Sequence, residues 1–448
     1  MRRIILKPGE IFSEDQLQRV GAFDAHALTA ATEIIEAVRT QGDAALRAYT
    51  KQFDGVEIEN FRVSDTAIDE AITRVDPEVS QALRQAAKQI RDFHERQKQQ
   101  SWFTIREDGA LVGAKVEPLD SVGIYVPGGR ALYPSSVLMN AIPAAVAGVK
   151  RIVCVTPPTK DGSLDPAILE ACRIAGVTEI YSVGGAQAIG ALAYGTESIQ
   201  KVAKITGPGN AFVAAAKKIV SGDVGIDMIA GPSEVCVLAD ETALPELVAV
   251  DLMAQAEHDP LASCYLVTFS EAYADAVENA IQKTVESSTR KEITMSSLTG
   301  KGLIVICDSL AQALQTINVI APEHLELHVS RPMELLGQIR NAGAIFMGEW
   351  TPEAVGDYVA GPNHTLPTGG TARYASPLSV DEFVKKSSVI QYSAAALKND
   401  ARAIETIADH EGLWAHAQSV RLRMELMEQG RVPANASSTD TSAEQAKD

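Results

Sequence analysis

Val122-Gly-Ile-Tyr-Val126, a helical stretch from Ser135 to Ala147, and then Arg151-Ile-Val-Cys-Val155 decide how this chain folds. A short β-branched run, a helix and a second β-branched run make one βαβ unit, and the pattern repeats. Glu179-Ile-Tyr-Ser-Val leads into Gly184-Gly-Ala-Gln187 and a helix, and Val202-Ala-Lys-Ile-Thr leads into Gly207-Pro-Gly-Asn210 and another. Val235-Cys-Val-Leu, a helix from Pro245 to His258, Cys264-Tyr-Leu-Val-Thr, Leu303-Ile-Val-Ile and Ala344-Ile-Phe-Met complete the series. Such alternation specifies parallel sheets covered by helices on both faces, an α/β fold. The units are too many for one sheet, so two Rossmann-like domains are expected, with Gly-Pro-Ser233-Glu as the return crossing.

Outward from this core, residues 1–20 read as an arm with little core of its own. Helical periodicity covers Leu28 to Gln52 and Pro77 to Lys98, with His94 a solvated residue in a charged string. The domain division is then 21–122 with 235–378, 123–234 between them, a helical C-terminal segment over 379–432 and a disordered tail over 433–448. A Gly-, Pro- and Thr-rich loop from Trp350 to Ser376 is too long for a mere connector and marks a functional candidate.

With 46% hydrophobic and 22% charged residues, the 448-residue chain is ordinary for a globular protein, but its formal charge is −18. That charge argues against nucleic-acid binding, which needs concentrated Lys and Arg. No apolar run suits a signal peptide or a membrane span, so a cytoplasmic location is expected. The five cysteines are scattered without C-x-x-C spacing, and those in strand-like runs read as small core residues.

Chemistry-bearing residues cluster late in the chain. Gln255 and His258 are three apart and share a helix face, so they can hold a metal ion together or simply close the helix. Glu323-His324 follows Pro322 and is expected to open a turn or short helix; the pair offers two proton acceptors, or merely a polar helix start. Asp357 and His364 lie in the long loop. Glu411 and His416 share a face only if Gly412 begins a new helix. Gln255, His258, Asp357 and His416 together would be an N/O donor set suited to zinc. The glycine turns beginning at Tyr125, Gly184 and Gly207 suit a phosphate or only permit tight packing; none matches G-x-G-x-x-G.

Tyr-Val-Pro-Gly-Gly, Gly-Gly-Ala-Gln-Ala, Gly-Pro-Gly-Asn, Ala-Gly-Pro-Ser-Glu, Gln-Ala-Glu-His-Asp-Pro, Ala-Pro-Glu-His-Leu-Glu, Gly-Pro-Asn-His-Thr-Leu-Pro-Thr and His-Glu-Gly-Leu-x-x-His occur in that order. In this the chain closely resembles the histidinol dehydrogenase family, from near its N-terminus to about Arg431. The resemblance implies zinc- and NAD-dependent oxidation of L-histidinol, through the aldehyde, to L-histidine. It implies Gln255, His258, Asp357 and His416 as zinc ligands and Glu323 and His324 as catalytic bases. It further implies Ser233, Gln255, His258, His324, Asp357, His364, Glu411 and His416 as substrate contacts, and Tyr125, Gln187 and Asn210 as NAD contacts. The first domain would then carry zinc and catalysis, and the second would contact NAD. The family resemblance also implies an intertwined homodimer with exchanged terminal extensions, the C-terminal segment completing the partner's site.

Overall fold

The computed structural model describes residues 1–128 and 132–431. Gly129, which ends the Tyr-Val-Pro-Gly-Gly turn, and the tail expected to be disordered lie outside the described residues.

The alternating segments build two sheets in which every pairing is parallel. One runs Glu179–Ser182, Arg151–Thr156, Ser121–Tyr125, Lys204–Thr206, Gly225–Ile226. The other runs Arg2–Ile5, Leu303–Ile306, Ser263–Thr268, Glu234–Ala239, His324–His328, Ala344–Met347. Leaving aside the edge strand Arg2–Ile5, the chain in each sheet starts at a central strand, builds outward to one side, then returns and builds to the other. The reversal falls between Ser121–Tyr125 and Lys204–Thr206 in one sheet, and between Glu234–Ala239 and His324–His328 in the other. This is the doubly wound order of a nucleotide-binding sheet, present twice. Central strands are buried throughout, as in Glu234–Ala239, which accounts for continuous apolar runs rather than alternation. All five cysteines are buried and free.

Four expectations change on contact with the structure. The N-terminal arm is not peripheral: Arg2–Ile5 pairs with Leu303–Ile306 and extends the six-stranded sheet. Leu6, Phe12 and Leu17 are buried with Leu314, Ile317 and Leu325 under that sheet. A four-residue strand has no signal of its own until another strand offers it an edge.

The helices between residues 25 and 94 do not cover the six-stranded sheet with which they were grouped. Ala25–Gln41 packs on the helices Gly185–Tyr194 and Ala211–Val220, and Pro77–His94 packs on Pro134–Ala147. Ile34, Ile35 and Val38 join Tyr181, Ile189 and Leu192 in one cluster; burying each such aliphatic side chain favours the fold by ~1.5–3 kcal/mol. Amphipathic periodicity announces a buried face without saying which sheet will bury it.

His94 is fully buried, not solvated. Its Nδ1 lies 2.8 Å from the Ile90 carbonyl and its Nε2 3.4 Å from the Asn363 amide nitrogen. Burial therefore holds its pKa below the ordinary imidazole value.

Among the described residues, 99–117 and 384–431 form a separate compact unit. It contains the antiparallel pair Trp102–Ile105 and Leu111–Pro118, the strand Val384–Gln391 beside them, and two packed helices, Ala394–His410 and Trp414–Glu428. The C-terminal segment thus begins later than 379, because Val380 and Phe383 are buried in the core beside the five-stranded sheet.

One turn in the first unit is sterically closed to any side chain. Gly207 has φ +115°, and a Cβ there would stand 2.2 Å from the Tyr125 carbonyl oxygen. Gly207→Ala should cost about 2 kcal/mol or more, read as a lower denaturant midpoint with an unchanged m-value. An unchanged midpoint would contradict this account of the turn.

Candidate active site

The peptide of Glu234 organises the site. The strands Glu234–Ala239 and His324–His328 lie side by side with His324 opposite Val235, so Glu234 stands beside Glu323. The Glu234 N–H donates to Oε2 of Glu323 at 2.9 Å, and its carbonyl oxygen lies 3.2 Å from Nδ1 of His324. Arg19 in turn holds the Glu234 carboxylate at 2.8 Å. Glu323-His324 therefore does not open a helix as expected: His324 begins a buried strand, because an edge was waiting to pair with it.

Right-handed strand–helix–strand crossing returns a helix to the N-terminal edge of the sheet it leaves. The helix Pro245–Ala256 accordingly delivers Gln255 there, with His258 just beyond its end. Asp357, expected in an irregular loop, lies in a short helix, Glu353–Tyr358. Glu353 and Asp357 are four apart and share its face. His364 follows, its Nδ1 3.1 Å from the Asp357 carbonyl oxygen. The neighbouring Asn363 anchors this loop by donating to the Met139 carbonyl at 2.6 Å. Ser233 immediately precedes the Glu234 strand and is half-buried.

Ligand atoms of His258, Glu353 and Asp357 all lie within 4.8 Å of one another. One terminal atom of the Gln255 amide lies 3.0 and 3.1 Å from the two Glu353 oxygens and 3.1 Å from His324 Nδ1. As nitrogen it donates to Glu353; turned over, it presents oxygen to Nδ1–H or to a cation. The Glu234 carbonyl has no such choice and can only accept, so Nδ1 of His324 carries the proton. The lone pair is then on Nε2, which has no hydrogen-bond partner and lies 3.9 Å from Asp357 and 4.0 Å from Glu353.

Burial raises the carboxyls and depresses the imidazoles. Glu323 and Glu353 are pushed well above the usual carboxyl range by desolvation, Glu353 also by the nearby charges of Asp357 and Glu323. Burial takes Asp357 up to about 7. His324 falls to about 3 and His364 to about 4, again chiefly through burial. The cluster thus has more acid than its neutral imidazoles can offset, and a divalent cation would relieve that imbalance. Imidazole, carboxylate and amide oxygen donors at these distances fit zinc. Glu353 was missed by the sequence reading: its four-residue spacing to Asp357 was the available signal, hidden in a stretch read as loop.

Glu411 and His416 belong to the second unit, and both are exposed. Glu411 caps the end of Ala394–His410, Gly412 turns with φ +73°, and His416 lies in the first turn of Trp414–Glu428. The break at Gly412 matches the expectation, although Glu411 closes one helix more than it opens the next.

Tyr125 and Asn210 lie at the C-terminal edge of the five-stranded sheet, where its strand order reverses, and Gln187 lies at the same edge in the helix that follows the outermost strand Glu179–Ser182. Open α/β sheets bind ligands at that edge. The glycine turns are less open to phosphate than their sequences imply. The Tyr125 hydroxyl accepts from the Gly185 N–H at 3.1 Å, and Asn210 Oδ1 caps Phe212 and Val213, both at 3.1 Å. Gln187 Oε1 is buried without a partner, as is Oδ2 of Asp54. Burial pushes the Tyr125 hydroxyl up to about 12, and the charge of Asp54 adds to it.

Two doubly wound sheets with acid–imidazole chemistry at one edge define an α/β enzyme with a metal-ready centre. The histidinol dehydrogenase family profile matches residues 17–424. Histidinol dehydrogenase of Bacillus subtilis (strain 168) is 55% identical over 390 residues, covering 87% of this chain and 91% of that protein. The Geobacillus kaustophilus enzyme is 54% identical over 396 residues, 88% and 93% of the two chains. The crystal structure of histidinol dehydrogenase from Elizabethkingia anophelis superposes with a TM-score of 0.91 at 38% identity, covering 96% of this chain and 99% of that one. The chain belongs to the histidinol dehydrogenase family and is an oxidoreductase.

The unpartnered Asp54 carboxylate beside Tyr125 allows a test by pH. Burial raises its folded-state pKa to about 6, against 3.8 for an ordinary aspartate. Between those values the folded state binds more protons than the unfolded, so stability falls as pH rises, and above about 6 the penalty is complete. Asp54→Asn should raise the unfolding midpoint at pH 7.5, and the gain should vanish below about pH 4. A gain of equal size at both pH values would rule out this origin.

Proposed function

We propose that this enzyme oxidises L-histidinol to L-histidine through L-histidinaldehyde, using zinc and NAD, as the last steps of histidine biosynthesis. The observation that carries the reading is the peptide of Glu234 holding Glu323 and His324 beside the acid–imidazole cluster. Gln255, His258 and Asp357, with His416 of the partner subunit, would hold the zinc. When bound, zinc would orient the imidazole and amine of histidinol and polarise its hydroxyl.

The chain's own groups supply the proton chemistry. Nδ1–H of His324 is held by the Glu234 carbonyl, which leaves Nε2 free to take the alcohol proton; NAD, when bound, would supply the hydride acceptor. Glu323, its basicity raised by burial, would activate water to attack the aldehyde. After releasing the first proton, His324 would accept the hydrate's proton, with a second NAD as acceptor for the second hydride. Ser233 and His364 would contact the substrate, and Glu411 of the partner subunit would meet a cationic or donor group on it. Tyr125, Gln187 and Asn210 would contact NAD at the sheet edge that suits a nucleotide.

The homodimer is supported by the second unit, which leaves Trp102, Phe103, Ile105, Ile390, Ile407 and Trp414 exposed. No helix among the described residues is long and apolar enough to cross a membrane. The charge of −18 disfavours nucleic acid, and we place the enzyme in the cytoplasm.

The test is NADH formation with L-histidinol. Two NADH per histidinol, lost on chelation, are expected; none would sink the reading. His324→Asn should cut turnover by about 100-fold or more with little change in zinc content, whereas His258→Asn should lower both. Loss of zinc from His324→Asn would show that base and ligand roles have been wrongly divided.

A further inference from the structure

Behind the site lies a buried triad that the chemistry above does not use. Asp251, Glu326 and His328 are 7%, 0% and 3% exposed. Nε2 of His328 lies 3.2 Å from Asp251 Oδ2 and 3.3 Å from Glu326 Oε2. The other Glu326 oxygen accepts from the Glu353 N–H at 2.9 Å.

Each member sits one or two structural repeats deeper than a site residue. Asp251 is one helical turn before Gln255, on the same helix face. Glu326 and His328 share a strand face with His324, two and four residues on. Through its bond to the Glu353 amide, Glu326 fixes the start of the short helix that bears both Glu353 and Asp357.

We propose that this triad is a positioning layer, locking three elements in register so that Gln255, His324, Glu353 and Asp357 converge. As a device for stability alone it would be a poor choice, since well-packed apolar residues of similar volume commonly do as well as buried ion pairs. Here two carboxylates share one imidazole. Burial works against charging His328, but its bonds to Asp251 and Glu326 outweigh that and push it up to about 9. Burial raises Glu326, so the triad also holds a carboxyl at a desolvation cost. What the arrangement offers in return is direction: three hydrogen-bonded contacts joining one strand and two helices.

The inference rests on the proposed zinc and histidinol chemistry, and the test separates the two. Zinc-loaded wild type, Glu326→Gln and Glu326→Leu are compared for metal release to a chelator by direct metal analysis, and for kcat and KM. Glu326→Gln retains an acceptor for the Glu353 amide and should stay close to wild type. Glu326→Leu should lose metal retention and kcat by about 10- to 100-fold, with KM for NAD unchanged. Wild-type metal retention and kcat in a cooperatively folded Glu326→Leu protein would overturn the proposal. If that variant does not fold, Asp251→Ala decides, because it leaves the Glu353 amide bonded but removes the tie between His328 and the Gln255 helix. It should then show the same losses, and wild-type values would overturn the proposal. A second zinc per chain, lost in Glu326→Leu, would make the triad itself a metal site and also overturn it. Should wild type form no NADH from histidinol, the substrate reading fails, while metal release still decides the triad's role.

Discussion

The peptide at Glu234 is the point on which the site depends. Its N–H and its carbonyl are spent on two different side chains, Glu323 and His324. Both bonds exist only because Glu234–Ala239 and His324–His328 pair in parallel in one register. A slip of one residue would turn both side chains to the opposite face. Arg19 secures the same residue from outside by pairing with its carboxylate. The partners of Glu323 and His324 and their placement beside the acid–imidazole cluster therefore follow from a single strand pairing.

The two sheets share a winding order but use opposite edges. The five-stranded sheet presents Tyr125, Gln187 and Asn210 at its C-terminal edge, where a doubly wound sheet ordinarily receives a nucleotide. The six-stranded sheet presents Glu323, His324 and Gln255 at its N-terminal edge, the reverse of that habit. Side chains supply the polar groups there, and packing imposes the electrostatic character. Desolvation raises Glu323, Glu353 and Asp357 and depresses His324 and His364. The N-terminal edge thus holds protonatable acids and neutral imidazoles, which a cation would convert into ligands and bases.

Much of the fold was legible because its signals are local. β-branched runs alternating with amphipathic stretches identified the parallel strands, and the helix expected from Ser135 to Ala147 forms over Pro134–Ala147. The ligand candidates were legible as residue types, and the family motifs named them in order. Less legible was everything set by a partner surface. The Arg2–Ile5 strand needed an edge to pair with. The helices between 25 and 94 needed one sheet or the other, and His94 needed Asn363 and the surrounding helices to become a core residue. Glu353 lay in a stretch whose glycine- and proline-rich composition concealed a helical turn.

By itself the sequence determined the α/β class, the doubled winding pattern and the family, since these rest on local periodicity and on strings of adjacent residues. Tertiary structure alone decided that Glu323 and His324 share one backbone partner and that Glu353 joins Gln255, His258 and Asp357. It alone placed Asp251, Glu326 and His328 together beneath them. The physical reason is that convergence is a property of register and crossing direction. Residues 77 to 99 positions apart meet only after strands have paired and helices have packed, and only then does desolvation assign each acid and imidazole its proton.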